Sequence, residues 1–392
     1  MVNTHPIQYH APWFRALASR PEIDFKVLYC HQATPQDQAS AGFGVAFQWD
    51  VSLLDGYAYE FLPNASPKPA VDFWGLHNPD LPRRIAAGEF DAVVVDGWHY
   101  RSAWQAMQAC RRSETPVLAR GDSHMHSPRH PVKVGAKWPF YRWFIPRLDA
   151  CLPVGTWSRE YFLHYGADPR RIFEVPHTID SERISKQAAD SMSQRDEIRR
   201  RWGFADEDVV VAFSGKLIPK KRPLDFIRAI RKARDSGARV AGLIVGDGPL
   251  RGECELEVRN SGAPVQFAGF LNQTQIIDAY VAADALALPS DGFETWGLVV
   301  NEAMVCGRAC FLSDQVGSSP DLIDDGKTGA IFRCGDVEQF AAVLKKYADR
   351  STLNDMGESA RQKIRDYTPE AAAGRLIEAV LSCFETCKHH AA

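Results

Sequence analysis

The chain has 392 residues, of which 45% are apolar and 24% charged, and its net charge is -3. That length is long for one core and predicts about two or three domains. A balanced charge argues against a nucleic-acid binder working through bulk positive charge. Nine scattered cysteines include no Cys-x-x-Cys pair, so no metal site is expected, and unpaired thiols predict a reducing, cytoplasmic setting.

The first residues, "MVNTHPIQYH", have neither a charged leader nor an apolar stretch, so they predict no signal peptide. "MVNT" reads as the remnant of a strand, which places the true start a few residues upstream. Strands are then predicted over "DFKVLYC" (24–30), "AYEFLP" (58–63), "DAVVVDG" (91–97), "PVLARG" (116–121), "ACLPVG" (150–155) and "IFEVP" (172–176). The polar stretch 178–201 lacks strand character and reads as a domain connection. A second series follows: "DVVVAFSG" (208–215), "ARVAGLIVGDG" (238–248), "PVQFAG" (264–269), "ADALALPS" (283–290), "RACFLSD" (308–314) and "GAIFRC" (329–334). Amphipathic helical stretches separate them, as at 223–237 and 272–283. Strand, helix, strand at this interval predicts α/β structure, two Rossmann-like domains with doubly wound parallel sheets. A last helix is predicted from Pro369 to Cys387, with Thr368 as its N-cap.

Ligands of such sheets bind beyond the carboxyl ends of the strands. In the second series, "FSGKLIPKKRP" places Lys216, Lys220, Lys221 and Arg222 after a turn at Gly215. Four cations at a strand end suit a diphosphate; a solvated basic loop is the plain alternative. "VGDGP" brings Gly246 and Asp247 to the next strand end, where glycine lets backbone approach a ligand. No G-x-G-x-x-G follows an early strand, which counts against a nicotinamide dinucleotide. "DGFETWGLVVNEAM" (291–304) reads as a turn and then a helix closing at Gly307. Amides near Gly297, Leu298 and Val299 would face an anion. Glu294 stands before that helix and Glu302 within it, each able to accept from sugar hydroxyls. Their structural alternatives are an N-terminal helix carboxylate and a surface residue.

The basic strand-end loop, the Gly-Asp-Gly-Pro turn and the two glutamates, in that order, resemble the donor domain of glycosyltransferase family 4, group 1 retaining enzymes of the GT-B fold. The family's pair of glutamates separated by seven residues matches Glu294 and Glu302. The resemblance implies domains at 1–178 (acceptor) and 179–368 (nucleotide-sugar donor), with the helix of 369–392 packing back on the first. It implies that Lys216 and Lys221 hold the donor diphosphate, that Glu294 contacts the sugar and Glu302 the ribose, and that Phe270 and Leu271 meet the base. Thr295 and Trp296 fall in the same donor loop. Lys216 stands where the family usually has arginine.

In the first domain, His5, Gln8 and Tyr9 follow the first strand and are candidate acceptor contacts. The family often has a histidine at the fourth strand end; here Asp122 falls there and His124 just after, so both are catalytic candidates beside Glu294 and Lys221. "VPHTID" (175–180) stands where the family commonly has Pro-Asn-Gly. The stretch 129–147 has five Arg or Lys, five aromatics and no acid. It suits contact with an anionic membrane, and a core-facing helix with a basic outer face is its alternative. Prolines 131, 139 and 146 predict that no uninterrupted helix forms there.

The resemblance thus implies transfer of a hexose-type sugar, with retention, from a nucleotide-diphosphate sugar to a saccharide or lipid-linked saccharide acceptor. It implies no metal or other cofactor and no nucleic acid. Its setting would be cell-surface polysaccharide or glycolipid assembly, in the cytoplasm or on the inner face of the plasma membrane. A nucleotide-sugar epimerase and a non-catalytic sugar-nucleotide-binding protein are the alternatives.

Overall fold

The computed structural model describes residues 1–34, 46–127 and 131–388. The first sheet contains β1 (Val2–Asn3), β2 (Lys26–Tyr29), β3 (Ala58–Phe61), β4 (Val93–Asp96), β5 (Val117–Gly121) and β6 (Ala150–Pro153). Its order is β3-β2-β1-β4-β5-β6 and every pairing is parallel. Helices α1 (His10–Ala18), α2 (Asp80–Ala86), α3 (Arg101–Ser113), α4 (Pro131–Phe144) and α5 (Thr156–His164) connect and flank these strands.

The second sheet contains β7 (Val209–Ser214), β8 (Val240–Val245), β9 (Val265–Gly269), β10 (Ala285–Leu288), β11 (Ala309–Ser313) and β12 (Gly329–Phe332). Its order, β12-β11-β10-β7-β8-β9, repeats the first with the same connectivity. In each sheet the order reverses beside its first strand, between β1 and β4 and between β7 and β10. A crevice opens at the strand ends there.

The central strands form because they are buried on both faces, whereas the edge strands β3 and β9 are partly exposed. In β7, Val209, Val211 and Phe213 enter one core layer, while Val210 and Ala212 enter the opposite one. This alternation is the two-residue period of a strand. The helices between strands are α8 (Pro223–Asp235), α9 (Arg251–Ser261), α10 (Ile276–Ala282), α11 (Val299–Val305) and α12 (Ser319–Leu322). Then come α13 (Val337–Lys346), α14 (Arg350–Lys363) and α15 (Pro369–Lys388).

Three expectations are corrected. The stretch 172–176 is not a strand. Phe173 and Val175 donate to the carbonyls of Cys151 and Pro153 (3.0 and 2.8 Å), but Pro153 has no N–H to return. Residues 178–201 do not form an open connection: they fold into α6 (Ser181–Met192) and α7 (Arg195–Arg201). Ile184, Ala188 and Ile198 join the second unit's core. Arg199 of α7 is buried against Asp284 (3.1 Å), which also accepts from the Val210 N–H at 2.7 Å. The polar residues disguised a helix pair whose buried face is narrow. Finally, α4 runs through Pro139. Pro131 opens the helix, where its missing N–H costs nothing, and Pro146 lies beyond its end. Residues 129 and 130 lie outside the described residues.

The last helix packs into the first unit's core. Ala372, Ala373, Leu376 and Ile377 pack with Trp13, Phe14 and Leu17 of α1. Thr368 caps it, its Oγ1 accepting from the Ala371 N–H at 3.2 Å.

Candidate active site

The second crevice is built from two loops pressed backbone to backbone. The Leu217 N–H donates to the Asp247 carbonyl and the Leu250 N–H to the Leu217 carbonyl (2.9 and 3.0 Å). A Cβ on Gly246 would stand 2.0 Å from the Gly215 carbonyl oxygen, and the φ of Gly246 is +133°. Glycine is therefore required for the loop carrying Lys216 to reach its position. Asp247 turns inward, its Oδ1 accepting from the Gly248 N–H at 2.7 Å.

Lys221 is buried and its Nζ lies 2.5 Å from Glu294 Oε2, with the two side chains only 11% and 10% exposed. Burial alone would raise the Glu294 pKa. Lys221 and Lys220 outweigh it, and the carboxyl is held below its usual range. Lys216 is pushed down to about 8 by burial and then by Lys220 and Lys221. The third cation thus has a weakened hold on its proton, and an arriving anion would restore it. Arg222 does not join them, since its Nε binds Asp225 at 2.6 Å.

The loop before α11 is held by its neighbours. The Asp291 N–H donates to the Lys220 carbonyl (2.8 Å) and the Gly317 N–H to the Glu294 carbonyl (2.9 Å). Gly292 donates to Gln315 Oε1 at 3.0 Å. Gly297, at φ +93°, lets the chain turn into the helix, for which Leu298 is the N-cap and Val299 the first residue. Glu302 is fully buried, which excludes the surface alternative. Burial raises its pKa against the pull of Tyr280, whose hydroxyl donates to Oε2 at 2.6 Å.

The first unit closes over this site. Tyr9 packs against the second unit's core and stands beside Glu302, so it is half-buried and does not face an open acceptor pocket. His5 Nδ1 lies 3.0 Å from Thr4 Oγ1. Gln8 interacts with Tyr9. Thr295 does not face the donor loops: its Oγ1 donates to Asp122 Oδ2 at 2.7 Å, across the two units. Trp296 also turns away, its Nε1 donating to Asn301 (2.9 Å) and its ring lying near His177. A Cβ on Gly155 would come within 2.5 Å of that ring, so the first unit meets it closely. Phe270 is covered by Phe47, with ring centroids 4.4 Å apart. The neighbouring Asn272 Nδ2 donates to the Gln48 carbonyl at 2.7 Å. Leu271 is half-buried against the second unit's core.

Of the two strand-end candidates in the first unit, only Asp122 reaches the crevice. His124 is buried against Trp157, 5.4 Å between centroids. Asp122 lines a cavity of about 740 Å³ with Trp98, His99, Tyr141 and, from the second unit, Phe293. Phe293 directly precedes Glu294, so the cavity borders the donor crevice.

A buried polar cluster at the first switch point escaped sequence reasoning. Asp96 ends β4 and accepts from Arg120 of β5 (3.2 Å) and Asn3 of β1 (3.3 Å). Arg120 also donates to the carbonyls of Val175 and Pro176 and lies 3.1 Å from His177 Nδ1. Burial pushes His10, beside Asp96, down to about 4. The signal was present: "VVVDG" and "VLARG" each end an apolar strand in a charged residue. Asp206 and Asp208 stand at the amino end of β7, the end opposite the crevice, and Asp208 pairs with Arg234 at 2.5 Å.

Residues 194–363 match the model described as "Glycosyl transferases group 1", and residues 15–183 match "Glycosyltransferase Family 4". The chain belongs to the group 1 glycosyltransferases of family 4. A D-inositol 3-phosphate glycosyltransferase of Actinosynnema mirum is 33% identical over 316 residues, 71% of this chain and 72% of that one. The sulfoquinovosyl transferase SQD2 of Arabidopsis thaliana is 31% identical over 253 residues, 59% of this chain and 48% of that one. The chain spans about half the length of several curated relatives it matches. Among solved structures, Anabaena HepE in complex with UDP and glucose superimposes with a TM-score of 0.67 at 16% identity, covering 97% of this chain and 98% of that one. Sucrose-phosphate synthase from Thermosynechococcus elongatus gives 0.69 at 15% identity, covering 95% and 92%. These likenesses establish the GT-B fold for this family 4 chain. Among the described residues, no helix is long and apolar enough to cross a membrane.

Proposed function

We propose that this chain is a retaining, metal-independent hexosyltransferase that uses a nucleotide-diphosphate sugar. The observation that carries the reading is the Lys221–Glu294 pair, with Lys216 beside it, at the carboxyl end of β7 where the sheet order reverses. Lys216, Lys221 and the amides of Gly297 to Val299 would stabilise charge developing on the leaving diphosphate. Glu294, ionised by its lysine neighbours, would accept from hydroxyls of the transferred sugar. Glu302 would accept from the ribose diol. Its Oε1 makes no hydrogen bond of good geometry among the described residues. Phe270 and Leu271 would flank the base. Retention is consistent with the leaving phosphate taking the acceptor proton on the same face, with Asp122 orienting the acceptor hydroxyl. The cavity beside Asp122 favours a transferase over an epimerase, which needs no second substrate. The bound UDP of HepE supports UDP as the first nucleotide to try. Cell-surface polysaccharide or glycolipid assembly is the setting we propose.

The test is thermal stabilisation by UDP, GDP, ADP and their sugars, with and without chelator. A ligand at 100 times its Kd should add about 2.7 kcal/mol. A shift for one nucleotide family, insensitive to chelator and lost in Lys221→Ala, is expected. No shift for any nucleotide in the folded protein would sink the reading.

A further inference from the structure

The first unit reaches across to the loop that follows β9. Its residues 47–50 lie against residues 270–274 of the second unit. The Phe47 ring covers the Phe270 ring, with centroids 4.4 Å apart and planes inclined by 42°. The Gln48 carbonyl accepts from Asn272 Nδ2 at 2.7 Å. The Asp50 carboxylate accepts from the Thr274 N–H at 3.1 Å and from the Thr274 hydroxyl. Trp49, which lines a first-unit pocket with Pro6 and Leu54, meets the Phe47 ring edge to face at 4.7 Å. On the second unit's side the same loop is held by α6, where Arg183 donates to the Gln273 carbonyl and to Gln273 Oε1, both at 3.1 Å.

The base end of a donor would fall on this loop. Gln273 stands beside Glu302, the residue assigned to the ribose, and Phe270 and Leu271 belong to the same loop. Packing two units together calls for apolar area taken out of water. Here both phenylalanine rings stay half-buried, and Gln48 and Asp50 are exposed. The contact leaves aromatic surface in water instead of sealing it. A slot for a base between two rings needs about 7 Å, twice a contact distance of about 3.5 Å. At 4.4 Å the Phe47–Phe270 pair has no such slot. It is a wall, and a base at Phe270 and Leu271 must lie against it. The bonds made by Gln48 and Asp50 fix that wall in place. A fixed wall limits the length of the base, and a one-ring pyrimidine needs less room than a two-ring purine.

We propose that Phe47 is a base-discriminating residue supplied by the first unit, held in register with residues 270–274 by Gln48 and Asp50, and that it favours a pyrimidine nucleotide. The choice of nucleobase is then made jointly by the two units. This assignment deepens the donor reading above and rests on it for the nucleotide.

Binding of UDP, GDP, ADP and inorganic pyrophosphate is measured by calorimetry on the parent protein and on Phe47→Ala, Phe47→Tyr and Asp50→Ala. The parent should prefer UDP over GDP and ADP by roughly tenfold or more, about 1.4 kcal/mol. Phe47→Ala should shrink that preference to about threefold or less, and Asp50→Ala should shrink it in the same direction. Phe47→Tyr keeps the ring and should keep the preference. Pyrophosphate has no base, so its affinity should stay within about twofold of the parent value in every variant. Melting temperatures check that the variants are folded. An unchanged preference in Phe47→Ala would overturn the assignment. So would an equal loss for pyrophosphate and UDP, because the contact would then only hold the units together. A parent that binds the three nucleotides alike, or prefers a purine, would overturn it too. All of these outcomes leave the donor reading standing, whereas absence of any nucleotide binding in the parent overturns both.

Discussion

Replacing Lys221 by methionine removes a charge while keeping most of the volume, and its cost can be worked from the pair it breaks. Glu294 would remain buried with its nearest counter-charge gone. Breaking a buried pair from one side costs about 3–5 kcal/mol if the remaining charge stays ionised. The carboxyl has an escape, because it can take up a proton. From its ordinary value of 4.5, protonation at pH 7 costs about 3.4 kcal/mol, at 1.36 kcal/mol per pH unit. The loss is therefore capped near 3 kcal/mol at neutral pH. The sign of the pH dependence follows. In the parent protein Glu294 is held below its usual range, so its contribution is present above about pH 4.5 and fades as pH falls. In Lys221→Met the folded-state value rises above the unfolded one, so stability is lost as pH rises. The deficit should shrink by about 1.4 kcal/mol for each pH unit from 7 towards 5. Urea unfolding at several pH values reads this directly. The double variant Lys221→Met with Glu294→Gln should recover much of the loss at pH 7. A deficit that does not change with pH, or a double variant as unstable as the single, would refute the electrostatic account of this pair.

Two further outcomes test the same crevice. UDP affinity should fall as pH rises through about 8, where Lys216 gives up its proton; calorimetry should detect proton uptake on binding near that pH, and Lys216→Met should abolish the uptake. Gly246→Ala should lower both melting temperature and UDP affinity. The new Cβ would collide with the Gly215 carbonyl at a positive φ, a strain of about 1–3 kcal/mol; an alanine variant with parental melting and binding would show that the two loops are not locked together.

The α/β alternation was legible because buried parallel strands are short apolar runs, and nearly every strand lies inside its expected stretch. The donor loops were legible because glycine, lysine and glutamate recur there at fixed spacing in one continuous segment. What sequence could not supply was contact between distant segments. Thr295 meeting Asp122 spans both units, and no local pattern encodes it. Asp122 and His124 were both candidates by position; Asp122 bonds Thr295 and lines the cavity, whereas His124 packs against Trp157. Tyr9 was read as an acceptor contact from its place after β1, yet it lies against Glu302. The Asn3–Asp96–Arg120–His177 cluster draws on four separate segments of the first half. The 178–201 helices were missed because their buried faces are narrow and Arg199 is one of the buried residues.

The placement of α15 has a consequence for synthesis. Trp13, Phe14 and Leu17 leave the ribosome early, but the alanines and leucine that cover them come from residues 372–376. The first unit must wait, with that apolar face unsealed, until synthesis has passed residue 377, after its own strands and the whole second sheet have been made. A nascent chain stalled after residue 368 should hold a sealed second unit beside an unsealed first, and would be a natural client for chaperones.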